Sequence, residues 1–201
     1  MEWITVLKIA HLIGLMAGLG GAVYTDYLVV TKGVLKPLTE ETLAQVKQLS
    51  HFVTLGLGLL WISGGLLTYE LLTTNPDFML NEKFWAKVVI VTVLTVNGFV
   101  VHNVVLGEAC RSIRKRLLFD SNARIAVILT ISGSVSFVSW VIPFVLGKAP
   151  EFSYVLPFEA IIFFWICAIL ASIAAILMLI ALEEIWRERS GRQAQISRWD
   201  Q

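Results

Sequence analysis

The sequence predicts an all-α integral membrane protein: a bundle of five transmembrane helices, with the N-terminus outside and the C-terminus cytoplasmic. Three observations carry this. Of 201 residues, 57% are apolar and 15% are charged, whereas a soluble domain is nearer about half and about a quarter. The apolar excess gathers into five stretches, and Lys and Arg are shared unequally among the segments between them. A net charge of +1 gives no electrostatic footprint for nucleic acid. Two cysteines, Cys110 and Cys167, cannot build a disulfide framework.

Four spans are located by the absence of Asp, Glu, Lys and Arg: Gln48 to Tyr69, Val88 to Gly107, Ile125 to Gly147 and Ala160 to Leu182. Each has 20 to 23 residues, enough for a hydrocarbon layer of roughly 30 Å at about 1.5 Å per residue. The first span is less clean, because Lys8 and Asp26 fall inside it, but Leu12 to Val23 is apolar apart from glycines. Met1-Glu2-Trp3 lacks a basic n-region and no small-residue cleavage site follows, so this segment is expected to be retained. The expected helices cover about 3–30, 46–72, 84–109, 122–147 and 157–185, forming one domain over 1–186. Residues 187–201 read as a polar cytoplasmic tail, frayed from Arg189 to Arg198.

Orientation follows from the basic residues. With the N-terminus outside, inner segments hold Lys32, Lys36, Lys47, Arg111, Arg114, Lys115, Arg116, Arg124, Arg187, Arg189, Arg192 and Arg198. Outer segments hold Lys8, Lys83, Lys87 and Lys148. Asn75-Pro76-Asp77 and the two prolines between Lys148 and Pro157 supply turn chemistry for the outer loops. Thr39, with Thr42 three residues on, is a cap for a helix that starts before the second crossing. So little chain lies outside the bilayer that any chemistry belongs in it or at its edge.

All three histidines, His11, His51 and His102, fall inside spans. An ionisable residue there is costly and is by default a functional-site candidate, although a neutral imidazole also serves as interhelical glue. His51 follows Lys47 by four residues, which places it about 6 Å inside the inner boundary. His102 precedes Glu108 by six, about 9 Å from the same boundary. The two are level on consecutive antiparallel helices, so they can face one cavity. His11, three residues inside Lys8, belongs to the outer third and does not reach them on a straight helix. Two level imidazoles suit a six-coordinate haem b, each giving one nitrogen to the iron. A mononuclear zinc or copper site would want further ligands, and Cys110 stands two turns from His102.

Small residues share the histidine faces: Gly14, Gly18 and Gly21 with His11, Gly58 and Gly65 with His51, and Gly98 with His102. Such stripes admit either a flat macrocycle or another helix. Ser132, Ser136 and Ser139 form a face that ends at Pro143 and reads as interhelical hydrogen bonding with a kink. Lys87 opens the third span on the face of Thr95, Gly98 and His102, near the depth of His11. It is placed either to pair with a haem propionate or anionic substrate, or to snorkel to water. Asp26, between Tyr24 and Tyr27, reads as a marker of the inner interface. Trp3, Trp61, Trp85 and Trp186 read as belt or core residues.

Lys8-Ile9-Ala10-His11-Leu12-Ile13-Gly14 in the first span and Phe84-Trp85-Ala86-Lys87-Val88 in the third resemble the bacterial haem-binding membrane protoporphyrinogen oxidase family. They resemble more loosely the copper-resistance D-type membrane proteins. The resemblance covers about the first 110 residues. It implies that His11 and Lys87 are functional positions and that haem b sits in a bundle of about four helices. The fifth helix, a fourth span without the charged residues expected of the oxidase and a His51 with no clear counterpart depart from the oxidase pattern. Met16, Met79 and Met178 are scattered, which weighs against copper transport.

The sequence therefore predicts a haem b-binding protein of the bacterial cytoplasmic membrane, acting in redox or electron transfer. His11, His51 and His102 are its candidate iron ligands and Lys87 a further cofactor-binding residue. Two alternatives stand beside it: a porphyrinogen oxidase-like oxidoreductase using His11 and Lys87, and a metal or small-molecule permease. The expected partners are the lipid bilayer, a redox partner or quinone, and other copies of the chain in an oligomer.

Overall fold

The computed structural model describes residues 2–120 and 122–199. Five long helices account for most of them. α1 spans Glu2–Val29 and ends in a π-helical turn, Val30–Val34. α2 spans Glu40–Thr74. α3 spans Glu82–Val100, widens to a π-turn at Val101–Val105 and finishes as α-helix over Leu106–Arg111. α4 spans Ala123–Lys148 and α5 spans Phe158–Trp199. Short 3-10 turns, Pro76–Leu80 and Pro150–Phe152, join α2 to α3 and α4 to α5. No strand occurs among the described residues, and each helix carries a segment long and apolar enough to cross a membrane.

Several boundaries differ from the hydropathy reading for local reasons. α2 starts six residues earlier than expected because Thr39 caps it: its Oγ1 accepts from the Thr42 amide at 3.2 Å. Glu40 and Glu41 then occupy the first turn, where the helix dipole favours acids. α1 runs on to Val34 through its π-turn. The expected frayed tail is also corrected, since α5 stays helical to Trp199. Residues 200–201 of that tail lie outside the described residues.

The molecule is inverted relative to a soluble domain. Leu55, Phe99, Phe163 and Leu179 project outward, while small and polar residues line the helix contacts, as in lipid. Trp165 Nε1 donates to Ser139 Oγ at 3.1 Å, and Ser134 and Ser172 share a hydrogen bond of 3.1 Å. Asn97 Nδ2 donates to the Ser132 carbonyl at 3.0 Å. Of the predicted serine face, Ser139 bonds across helices through its hydroxyl and Ser134 does so beside it, whereas Ser132 offers only its carbonyl and its buried hydroxyl has no partner among the described residues. Pro143 lies inside a helix that continues to Lys148.

The end carrying most Lys and Arg, called here the basic end, is the best tied. Leu28, Leu38, Leu43, Val46, Leu106, Ala109 and Leu117 form one buried cluster there. The loop after α3 bonds to the loop after α1: the Leu38 amide to the Lys115 carbonyl, the Arg114 amide to Leu38 and the Leu117 amide to Gly33, at 2.7–3.0 Å. Arg114 takes φ of 69° to make that turn. Arg116, nearly buried, donates through Nε and Nη2 to Asp120 at 3.0 Å. This knot fixes how far the basic ends of α1, α2 and α3 stand apart, and so sets the stage for the histidines one to two turns above it.

Candidate functional site: paired histidines in the α2–α3 groove

α1 and α2 lie against each other along their length, whereas α2 and α3 approach mainly near the basic end, at Leu106–Arg111. Between α2 and α3 a groove opens. Trp61 Nε1 bridges it by donating to Thr95 Oγ1 at 3.0 Å. Below that bridge, ten residues further down α2 and seven down α3, stand His51 and His102. At the helical rise the groove between them is about 10–15 Å long. The two ring centroids are 6.3 Å apart, with the planes at 85°.

The imidazole of His51 is oriented by its own helix. Its Nδ1 lies 2.7 Å from the Lys47 carbonyl, an acceptor only, so Nδ1 carries the proton and donates. In the neutral ring Nε2 is then the free lone pair. Metal-ligating histidines are commonly held in this way. His102 sits within the π-turn Val101–Val105, and such turns often occur at functional sites. Gly58 and Gly98, on the histidine faces, border open space: a methyl group added at either would meet nothing within 4 Å.

The other glycines behave differently. A Cβ on Gly56 would come within 2.5 Å of the Gly18 amide nitrogen and 2.8 Å of the Gly14 carbonyl oxygen. One on Gly14 would meet the Gly56 carbonyl at 2.9 Å, and one on Gly18 would overlap the Trp140 ring. A Cβ on Gly21 would press on Val53 at 2.9 Å. The stripe on the His11 helix is therefore a packing seam and holds no room for a macrocycle. Gly56, in the middle of it, carried no mark in the sequence because its partners lie on another helix.

His11 occupies a separate place near the opposite end. Its Nδ1 is 3.0 Å from Ser63 Oγ, which donates to the Leu59 carbonyl. The Leu60 carbonyl is a second partner of the ring. Gly64 makes room for this ring, since a Cβ there would stand 3.3 Å from His11 Cε1. His11 lies within electrostatic reach of Lys87, and Lys87 makes no hydrogen bond or ion pair among the described residues. Lys83, one turn before it, is buried and donates to the Ala149 carbonyl at 2.6 Å. Ser63, Gly64 and Lys83 were not singled out from the sequence; each acquires its role from a neighbouring helix.

Four predicted site residues thus fall into two groups, His51 with His102 and His11 with Lys87. Among the described residues no three His, Cys, Asp or Glu side chains converge as a metal cluster. Cys110 is a half-buried free thiol packed on the basic-end cluster. Asp26 is half-buried and lines a large cleft between α1, α4 and α5. Comparison with protein-family models, curated proteins and solved structures gives no match to this chain.

Proposed function

We propose that this protein binds haem b in the α2–α3 groove, with His51 and His102 as the two axial ligands, and acts in electron transfer in a bacterial cytoplasmic membrane. The observation that carries the reading is the 6.3 Å spacing of the two rings. A metal atom lies about 2 Å from a ligating imidazole nitrogen, hence roughly 3 Å from the ring centre. Two such rings on opposite sides of one atom stand about 6 Å apart. Edge-to-face ring pairs share this spacing. The free Nε2 of His51 and the open space over Gly58 and Gly98 are what favour a bound group.

The donor set suits haem better than a bare ion. Zinc and copper draw three or four ligands from the protein, while a porphyrin supplies four and leaves two positions for imidazole. When bound there, haem supplies one-electron oxidation and reduction. The protein's share is to orient His51 through the Lys47 carbonyl, to hold His102 in the π-turn and to keep water out with apolar walls. The N-terminus faces outward in this reading, which puts the groove's histidines near the cytoplasmic side.

A second reading, porphyrinogen oxidation at the other end, draws on His11 beside Lys87, which has no hydrogen bond or ion pair among the described residues. The motifs containing these two residues resemble the haem-binding oxidases.

The test is an absorption spectrum of purified protein, air-oxidised and then dithionite-reduced. A Soret band with sharp reduced α and β bands, lost in both His51→Ala and His102→Ala, supports the groove site. Loss only in His11→Ala moves the haem to the Lys87 end. A colourless protein from cells well supplied with haem overturns the haem reading.

A further inference from the structure

We propose that the cleft between α1, α4 and α5 is a binding site for lipophilic cations, with the carboxylate of Asp26 as its counter-ion. The cleft is separate from the histidine groove and does not rest on the haem reading. Its volume is about 890 Å³, within the range of sites for drug-sized ligands. Its walls are apolar, with Val30, Leu129, Phe137, Ile176 and Ile180 among them, and it is open rather than enclosed.

Asp26 is the anomaly in this cleft. It is half-buried, eight residues before the end of the helical run at Val34. Its carboxyl group has no hydrogen bond or ion pair among the described residues. A charge drawn out of water normally finds a partner within the protein or in a bound ligand. The other ionic groups lie at the basic mouth. Glu183 is already compensated there, 3.7 Å from Arg187 and 3.9 Å from Arg116. Arg189 also lines that mouth. Further in, the polar side chains of the lining are the hydroxyls of Thr130, Ser134 and Ser172, and the two serines bond to each other. Asp26 is thus the one uncompensated acid facing the cavity. A cationic head completes it, and Phe137 in the wall adds an aromatic surface of the kind that attracts cations.

Neutral amphiphiles and phospholipid tails also fit apolar walls, but neither supplies the charge that Asp26 lacks. Charge complementarity therefore selects the occupant. Gly133 offers a way to close the site, because a side chain built there points into open space.

The experiment titrates full-length protein in detergent with tetraphenylphosphonium and, in parallel, with neutral triphenylphosphine oxide, by equilibrium dialysis. Wild type is expected to bind the cation at least about tenfold more tightly than the neutral compound, the weight of one charge-assisted contact. Asp26→Asn should remove that preference while leaving neutral binding unchanged, and Asp26→Glu should keep it. Gly133→Phe should abolish binding of both. Equal wild-type affinity for the two compounds overturns the proposal, and that result needs no variant to fold. Cation binding that survives both Asp26→Asn and Gly133→Phe also overturns it. So does tightly held phospholipid in native mass spectra that the cation fails to displace. The haem bands of the same samples report on the histidine groove independently.

Discussion

The α1–α2 seam and the α2–α3 groove share a helix and use the same residue type for opposite ends. In the seam, Gly14, Gly18 and Gly56 are each overlain by backbone or by Trp140 at distances no Cβ tolerates. In the groove, Gly58, two residues from Gly56, and Gly98 face open space. The seam closes two helices into one rigid pair. The groove keeps two helices apart, with an imidazole on each side. A glycine stripe has one meaning where helices meet and another where they do not.

The widest separation between the two regions comes from Gly56→Leu. The seam has no room even for a methyl group, so this variant is expected to lose the folded state, read as loss of a monodisperse peak in size-exclusion chromatography. Gly56→Ala should cost about 1–3 kcal/mol, as overpacking does. Gly58→Leu should leave the fold intact, and its effect should appear in the spectrum as a weakened or absent Soret band.

Next in size is the contrast among histidines. His51→Ala and His102→Ala should each remove the low-spin spectrum of the groove, while the thermal unfolding midpoint of the haem-free protein in detergent moves little, because both side chains are exposed. Ser63→Ala should leave that spectrum unchanged and loosen only His11, which loses one of its partners. A groove spectrum altered by Ser63→Ala would join the two regions into one site.

A smaller effect comes from Gly58→Ala. In open helical surface this exchange gains about 0.5–1 kcal/mol, whereas the same exchange at Gly56 destabilises. A paired thermal melt of the two variants reads the sign of each. If both shift in one direction, the distinction between seam and groove is wrong.

The smallest effect belongs to the basic-end knot. Hydrogen bonds from Arg116 hold the Asp120 carboxyl at about 2, below its ordinary 3.8. A carboxylate held low in the folded state contributes stability above its unfolded value and loses it as pH falls through the folded one. Stability should therefore be flat near neutral pH and decline between about pH 4 and about pH 2 from this pair. Asp120 is partly exposed, so solvent screening limits the contribution to under about 1 kcal/mol. Asp120→Asn should flatten that limb of a pH series of thermal melts.

How much of this was legible in the sequence differs by element. The five helices were, because a run of apolar residues long enough for the hydrocarbon layer needs no tertiary information. The cap at Thr39 was also legible, since it depends on a residue three positions away. The early start of α2 and the helical extension of α5 were not found by hydropathy, which measures lipid compatibility rather than helix length. Levelling His51 with His102 needed only the helical rise and the charged residues that bound each span. That the two rings face each other needed the rotation of both helices, which no single helix specifies.

The remaining roles are relations between helices. Asp26, set between two tyrosines, lines a cleft that α4 and α5 complete, which α1 alone does not specify. Arg116 is one more of the inner basic residues in the sequence, yet it is nearly buried and locked to Asp120. Gly56 and Gly58 are alike in sequence, and only the position of α1 makes one indispensable to packing and the other open.

The sequence by itself determined the number of apolar helices, the charge asymmetry of the two ends and the level of each histidine along its helix, because hydropathy and rise per residue are properties of one chain segment. The tertiary structure decided which helices pair, which glycines are covered and which polar groups find partners. Those depend on how helices rotate and approach, and where glycines line a helix face, a few ångströms of separation turn a packing seam into a binding groove.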